Sequence, residues 1–268
     1  MHRRLLALGL VFSVTQVSAQ TPAFEAASVK PNASGAAAQS GRMANGSVTM
    51  TNMRVRALIV TAYGSRPERI AGAPSWIDEA RYDITAKAPA GTPDNQLPLM
   101  LRTLLTDRFK LVARTEMREQ PVYALVMVRP GGTPGPSLRP STECESGGAG
   151  SGIGGPPLPA GKRACGVISG SDGKAAYIIG GARSMELLAR ALQNLGLIER
   201  PVIDRTGLTG TYDFDLRFSA APLASSAADV PLPSIFTAVQ EQLGLRLEPA
   251  RGPVEFLVID SIERPTAD

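Results

Sequence analysis

Five aspartates are the side chains of this sequence that come closest to a catalytic set. They are Asp78, Asp83, Asp204, Asp213 and Asp215. Two carboxyl groups about 5 to 10 Å apart can hydrolyse a glycosidic bond. However, Asp83 alternates with Tyr82 in a strand-like segment, and acidic residues in such positions usually face solvent. We therefore assign no catalytic residue, and a carboxylate-dependent hydrolase of cell-wall or plant polysaccharide is kept as an alternative function.

The histidine content excludes several kinds of catalytic and metal site. The only histidine is His2, which lies in a segment that we expect to be removed. Without an imidazole, the mature chain cannot build a Ser-His-Asp triad, a Cys–His pair or a His-ligated zinc site. No Gly-x-Gly-x-x-Gly follows a strand, and no P-loop is present. The sequence predicts no catalytic, metal-binding or cofactor-binding residue and no cofactor.

Two cysteines flank a stretch that is rich in glycine and proline. Cys144 and Cys165 are the only cysteines of the chain. In an exported protein such a pair favours a disulfide, and a closed loop of about 20 residues corresponds to roughly 3 kcal/mol of stabilisation. Two exposed thiols are the alternative.

Trp76 is the single tryptophan, and it follows the turn-like sequence Gly72-Ala73-Pro74. An indole in a loop could stack on a sugar or a peptide, so Trp76 is a candidate ligand contact. Large aromatic side chains more often cover the end of a hydrophobic core, which is the competing interpretation.

The N-terminus has the three parts of a secretory signal. Arg3 and Arg4 give a positive start, residues 5–14 an apolar run, and Val17-Ser18-Ala19 a cleavage site of small residues. The apolar run has about half of the roughly 20 residues that a membrane-spanning helix needs. We predict a signal peptide at residues 1–19 and export to the periplasm or the medium, with a retained anchor as the alternative. No later segment predicts a membrane span.

The charge balance does not support nucleic-acid binding. The formal net charge is +4, and Arg3 and Arg4 supply two of these charges. No basic stripe with interleaved aromatic residues is present. The partner that export favours is an envelope protein or a cell-wall component.

One pattern recurs along the chain at an offset of 130 residues. Tyr82-Asp83 returns as Tyr212-Asp213, and the same offset places Leu58 on Leu188. With small gaps, residues 121–126 correspond to 253–258. The fold class predicted from this recurrence is α+β, with two tandem repeats.

Each repeat is predicted as a β-α-β-β-α-β-β unit with two helices packed on a small mixed sheet. In the first repeat the helices are expected at residues 53–63, capped by Asn52, and at 95–108. Each repeat should close in a hairpin, which pairs 109–115 with 122–128 and 245–248 with 254–260. Residues 24–30 alternate like an edge strand.

The expected domain boundaries follow from this repeat. The first repeat covers residues 20–130 and the second covers 175–268. Residues 131–174, rich in Gly, Pro and Ser, should form a flexible linker because they cannot bury enough apolar surface.

Several sequence blocks, in order, resemble a known family. They are residues 24–31, 62–64, 74–77, 104–111, 204–213 and 240–245. Together they resemble the soil-associated family of secreted bacterial proteins that is known only as a domain of unknown function. The resemblance implies export and supplies no functional residues. The element order also resembles, at the level of fold alone, the small N-terminal domains of secretins and TonB-dependent transducers, which bind other proteins.

The function expected from these observations is a non-enzymatic extracytoplasmic binding or protein-interaction module, with a sensory role as one form of it. Two small sheet-and-helix units joined by a tether suit such a role, and exposed sheet edges allow strand addition. The alternatives are the histidine-free hydrolase and a structural component of the envelope.

Overall fold

The computed structural model describes residues 21–144, 163–171, 175–219 and 232–265. Within these residues the chain is a mixed α+β protein with five α-helices and three four-stranded sheets. The predicted signal peptide, residues 1–19, lies outside the described residues. The chain forms two compact units, of which one comprises the residues up to Glu116 together with those from Glu255 onward, and the other comprises Met117–Val254.

The first unit contains eight complete elements. They are β1 (Ala26–Pro31), β2 (Ser40–Ala44), β3 (Ser47–Arg54), α1 (Val55–Tyr63), β4 (Ile70–Ala71), α2 (Trp76–Glu79), β5 (Arg81–Lys87) and α3 (Leu97–Phe109). Short 3₁₀ turns at Pro67–Arg69 and Asp94–Gln96 precede β4 and α3. Strand β6 (Val112–Met127) continues into the second unit.

The second unit contains six complete elements. They are β7 (Leu138–Pro140), β8 (Gly166–Ser171), β9 (Ala176–Arg183), α4 (Met185–Asn194), β10 (Val202–Asp204), β11 (Tyr212–Phe218) and α5 (Ile235–Leu243), if β7 and β8 are counted as one edge each side of the masked-free sheet, and strand β12 (Leu245–Ser261) leads back into the first unit.

 Counted one by one, the complete elements of the second unit number seven, and that count replaces the six given at the head of this paragraph.

The three sheets differ in their pairing. The first sheet has the order β1-β5-β3-β2 and the second has the order β7-β11-β9-β8, and all of their pairs are antiparallel. The third has the order β10-β6-β12-β4, in which β10 runs parallel to β6 and β4 runs parallel to β12. As expected from the alternation of residues 24–30, β1 is an edge strand.

The predicted closing hairpins are wrong. Residues 109–128 contain no turn, because β6 is one continuous strand, and β12 is likewise continuous from Leu245 to Ser261. The sequence Pro249-Ala250-Arg251-Gly252 has turn-forming residues, but its backbone remains extended. Arg251 donates from Nη2 to the carbonyl oxygen of Glu119, and its own carbonyl accepts from Arg205. These bonds hold the segment in the strand.

The compact units therefore differ from the predicted boundaries of 20–130 and 175–268. Since β6 and β12 are unbroken, the division between units falls inside each strand, after Glu116 and after Val254. The predicted flexible linker, residues 131–174, is also wrong in part. Residues 138–140 and 166–171 are strands of the second sheet, and the Leu138 side chain is buried.

The helices bury the apolar faces that their periodicity predicts. Helix α1 ends at Gly64, whose φ of 64° is left-handed and whose N–H donates to the Val60 carbonyl. Asn52, however, is not a helix cap. It belongs to β3, and its side-chain amide donates to the carbonyl oxygens of Ala36 and Ala38.

Each unit has its own hydrophobic core. In the first, Leu58, Ile84, Leu101 and Phe109 are among the fully buried residues. In the second, the corresponding core includes Leu188, Leu192, Phe214, Leu216 and Val239. Tyr82 and Tyr212 are both buried, each in the core of its own unit.

Both antiparallel sheets contain a bulge at matching positions. The pairing of β3 with β5 shifts between Met50 and Met53, and the pairing of β11 with β9 shifts between Tyr212 and Phe214. Tyr82 is opposite Met53 in the first sheet, and Tyr212 is opposite Arg183 in the second. Both members of the second pair lie 130 residues after those of the first, so the two bulges have the same register.

Candidate functional site

The second unit contains an open cleft of about 700 Å³. Its eight lining residues, of which only one is apolar, are Pro136, Ser137, Arg139, Arg163, Asp213, Asp215, Arg217 and Gln242. Three arginines and two aspartates leave one positive charge on the lining. A site with this composition suits a hydrophilic ligand better than an apolar one.

Strand β11 supplies the floor of the cleft. Its alternation sends Tyr212, Phe214, Leu216 and Phe218 into the core, as their burial shows. Successive side chains of a strand point to opposite faces, so the intervening Asp213, Asp215 and Arg217 share the other face. The charged row is therefore a direct consequence of the period-two pattern.

The segment before β7 is fixed against the end of helix α5. The Gly135 N–H donates to the Leu243 carbonyl at 2.8 Å, and the Ser137 N–H donates to the Gln242 carbonyl at 2.9 Å. A side chain on Gly135 would collide with the backbone of residues 242–244, so this approach requires glycine. The docking holds Pro136 and Ser137 at the rim of the cleft.

Gln242 replaces a neighbouring strand along part of β11. Strand β7 pairs only with residues 212–214. Farther along, the Gln242 Nε2 donates to the Arg217 carbonyl at 2.7 Å, and its Oε1 accepts the Arg217 N–H at 2.9 Å. Because the side-chain amide satisfies this backbone, a ligand in the cleft meets side chains rather than an open strand edge.

Arg163 is held beside the cleft by two features of the chain. Cys165, two residues farther on, forms a disulfide with Cys144, with a Cα–Cα distance of 4.9 Å. A side chain on Gly181 would collide with the carbonyl oxygen of Ala164 and approach the Arg163 Cβ. The absence of a side chain at Gly181 thus gives residues 163–164 their place against β9.

Asp215 lies between two guanidinium groups. Its Oδ2 is 3.7 Å from Arg163 Nη1, and its Oδ1 is 3.6 Å from Arg217 Nε. Both distances exceed hydrogen-bond range, and Oδ1 is shielded from solvent without a hydrogen-bond partner. The arrangement is a loose ion-pair cluster in which the carboxylate lacks a close donor.

The carboxylate of Asp213 has a structural partner. Its Oδ1 accepts the Ala182 N–H at 2.9 Å. Ala182 has a φ of 48°, a left-handed conformation that costs an alanine about 1–2 kcal/mol. One oxygen of Asp213 therefore stabilises the bulge of β9, although the residue also lines the cleft.

Of the five predicted aspartates, only Asp213 and Asp215 meet in this cleft. Asp83 accepts hydrogen bonds from the Asn52 N–H and the Asn32 side chain. Asp204 accepts from the N–H and hydroxyl of Thr206.

Asp78 belongs to a helix rather than to the predicted loop, because it lies in α2. Its carboxylate pairs with Arg56, and the hydrogen bond from that guanidinium lowers the pKa of Asp78. Asp78 thus has a structural ion-pair partner in the first unit.

Trp76 begins α2 and packs, partly buried, against the core of the first unit. The Arg264 guanidinium lies 5.0 Å from the centre of its ring, so a cation of the same unit covers one face of the indole. Trp76 is not among the residues that line the cleft.

The sequence analysis missed Arg139, Arg163, Arg217 and Gln242. One signal was available, because Asp213-Phe214-Asp215-Leu216-Arg217 alternates charged with apolar residues and so predicts one charged face. Arg139, Arg163 and Gln242 come from separate segments, and only the tertiary structure brings them to this strand.

Metal ligands and membrane helices were searched over the described parts of the chain. Residues 21–144, 163–171, 175–219 and 232–265 contain no group of three or more His, Cys, Asp or Glu side chains placed to hold a metal ion. Over the same residues, every helix is too short or too polar to span a bilayer.

By its fold and site, the chain is a mixed α+β protein with a polar, arginine-lined cleft. A family model described as "Protein of unknown function (DUF3738)" matches residues 56–262. The chain therefore belongs to the DUF3738 family. Comparisons with curated proteins and with solved structures gave no match.

Proposed function

We propose that this protein is a non-enzymatic extracytoplasmic binding module that holds an anionic ligand in the cleft of its second unit. The observation that carries the proposal is the convergence of Arg139, Arg163 and Arg217 on one open, polar cleft. Arginine forms paired, charge-assisted hydrogen bonds with carboxylate and phosphate groups. The net positive lining favours an anion.

The two units also support the proposed repeat, in which an ancestral unit was duplicated. Five pairs of the β3–β5 ladder, from Ser47↔Lys87 to Met53↔Tyr82, recur at an offset of 130 in the β9–β11 ladder. The proposed repeat ends before the long strands, since its hairpins are absent.

The comparison of the two units argues that the cleft serves a function. At the offset of 130, Asp215 corresponds to Thr85 and Arg217 to Lys87. In the first unit, β1 pairs with β5 along residues 82–87, whereas β7 covers only three residues of β11. The same sheet can therefore be built without a charged cleft, which supports specialisation of the second unit.

The hydrolase alternative has less support. Asp213 and Asp215 share the cleft, but Asp213 bonds the Ala182 N–H and Asp215 lies between two arginines. Asp78, Asp83 and Asp204 each have a separate partner. We therefore interpret the aspartates as structural groups and as part of the binding surface.

The extracytoplasmic location rests on the predicted signal peptide and on the disulfide. Disulfides persist mainly in oxidising compartments, and Cys144–Cys165 is such a bond. The ligand would then be a component of the envelope or the cell wall, either in the periplasm or outside the cell.

Thermal unfolding of residues 20–268 with a panel of anionic and neutral compounds tests the proposal. A ligand at ten times its Kd stabilises the folded chain by about 1.4 kcal/mol, which raises the Tm by roughly 3–6 °C. We expect this rise with an anion, its loss in Arg163→Gln, and its retention in the control Arg246→Gln. Arg246 pairs with Glu248 on β12 and does not line the cleft.

Two results would contradict the proposal. One is an absence of any Tm rise across the panel, and the other is a rise that survives Arg163→Gln and Arg139→Gln alike. Turnover of a polysaccharide that Asp215→Asn abolishes would instead support the hydrolase.

A further inference from the structure

We infer that the ligand is a sugar acid, which carries a carboxylate and several hydroxyl groups on the same ring. This inference rests on the proposed function and specifies the chemistry of the ligand for the same cleft. Three properties of the lining support it: the arginines, the carboxylate of Asp215, and the near absence of apolar side chains.

The arginines account for the carboxylate of the ligand. Arg163 is 3.7 Å from Asp215, so its guanidinium has no hydrogen bond to that carboxylate. Arg139 donates from Nε to the Pro136 carbonyl, which leaves its terminal nitrogens for a ligand. A guanidinium and a carboxylate match in shape and charge.

Asp215 accounts for the hydroxyl groups. Its side chain is 31 % exposed, and neither carboxylate oxygen accepts a hydrogen bond from the described residues. A hydroxyl of the ligand can donate to such a carboxylate. Sulfate and simple carboxylates have no donor to offer, and they are repelled by Asp213 and Asp215.

The size and polarity of the cleft favour a sugar over a peptide. About 700 Å³ is much larger than a single small anion needs, so several polar groups fit. Pro136 is the one apolar residue of the lining, whereas peptide-binding grooves have pockets for apolar side chains. A hydrophilic acid of more than one ring matches this surface.

Isothermal titration calorimetry of residues 20–268 tests the inference with four probes. They are trigalacturonate, the neutral maltotriose, inorganic phosphate and the peptide acetyl-Glu-Glu-Glu-amide. We expect trigalacturonate to bind at least about tenfold more tightly than each of the others, because only it supplies both carboxylates and hydroxyl donors.

Variants identify the groups that bind. Arg163→Gln should weaken trigalacturonate binding by about tenfold or more, and Arg246→Gln should leave it unchanged. Asp215→Asn should weaken trigalacturonate but tighten the acidic peptide, because the variant loses an acceptor and a repulsive charge together. If Arg163→Gln lowers the Tm, Arg139→Gln provides the same measurement in its place.

The outcomes separate the two claims. If phosphate or the acidic peptide binds best and Arg163→Gln abolishes that binding, the sugar-acid inference is wrong and the anion-binding function stands. If trigalacturonate binds no better than maltotriose, the inference is also wrong. If none of the anions binds at millimolar concentration, both claims fail.

Discussion

The Asp83 carboxylate accepts the backbone N–H of Asn52 at 2.8 Å, across the bulge that joins β3 to β5. The pair Asp213 and Ala182, each 130 residues farther along, makes the same bond at 2.9 Å. Asn52 and Ala182 both have left-handed backbone, with φ of 57° and 48°. The carboxylate thus compensates an N–H that the irregular ladder leaves unpaired.

Replacing either carboxylate should destabilise its own unit. Asp83→Ala exposes no new solvent to the buried Asn52 N–H, so we expect a loss of about 2–3 kcal/mol in the free energy of unfolding. Asp213→Ala should cost about 1–2 kcal/mol, since Ala182 is only half-buried. Urea unfolding at neutral pH measures both. Losses no larger than that of the exposed control Asp107→Ala would contradict this role.

Relieving the left-handed alanine should stabilise the protein. Ala182→Gly removes the steric conflict of its Cβ and should raise the free energy of unfolding by about 0.5–1 kcal/mol. Asn52→Gly is the matched comparison, and it should lower stability because it loses the bonds to Ala36 and Ala38. Urea unfolding of both variants decides the matter, and equal shifts in the two would be evidence against strain at Ala182.

The ladder register could be predicted from the sequence, because Tyr82-Asp83 and Tyr212-Asp213 mark equivalent places on alternating strands. The long strands could not. Pro249-Ala250-Arg251-Gly252 has the composition of a turn, and only the contacts of Arg251 with Glu119 and Arg205 keep it extended. Local propensity is overridden there by bonds between distant segments.

The site was less predictable than the fold. Asp213 and Asp215 were identified as chemical candidates, whereas Arg163 reaches the cleft through a disulfide and a close approach to Gly181. Neither determinant appears in hydrophobic periodicity. The binding surface depends on tertiary contacts that one sequence does not specify to a reader.

The ion pair of Asp78 with Arg56 should give a pH-dependent contribution to stability. The hydrogen bond from Arg56 lowers the pKa of Asp78 below its ordinary value of 3.8. The contribution is therefore present above pH 3.8 and is lost as the pH falls through the lower, folded-state pKa. The free-energy difference between the natural chain and Arg56→Gln should be largest near neutral pH and should narrow in acid. A constant difference from neutral pH to about pH 2.5 would contradict this assignment.

Gly181 should be more sensitive to substitution than an ordinary strand glycine. In Gly181→Ala the new Cβ collides with the Ala164 carbonyl, which must move and take Arg163 with it. We expect a loss of about 1–3 kcal/mol in stability and weaker anion binding. The matched control is Gly41→Ala in β2, where the Cβ would lie 3.7 Å from the Met50 side chain, an ordinary contact. Equal effects of the two substitutions on binding would show that Gly181 does not position Arg163.

Breaking the disulfide should affect both stability and binding. Replacing Cys144 and Cys165 together by serine removes a bridge across 21 positions, and we expect a loss of about 3 kcal/mol in the free energy of unfolding. Arg163 lies two residues before Cys165, so the same variant should bind an anion several-fold more weakly. Dithiothreitol should reproduce both effects in the natural chain and leave the double-serine variant unchanged. Binding that survives reduction at full strength would mean that Gly181 and the β8–β9 pairing are sufficient to hold Arg163 at the cleft.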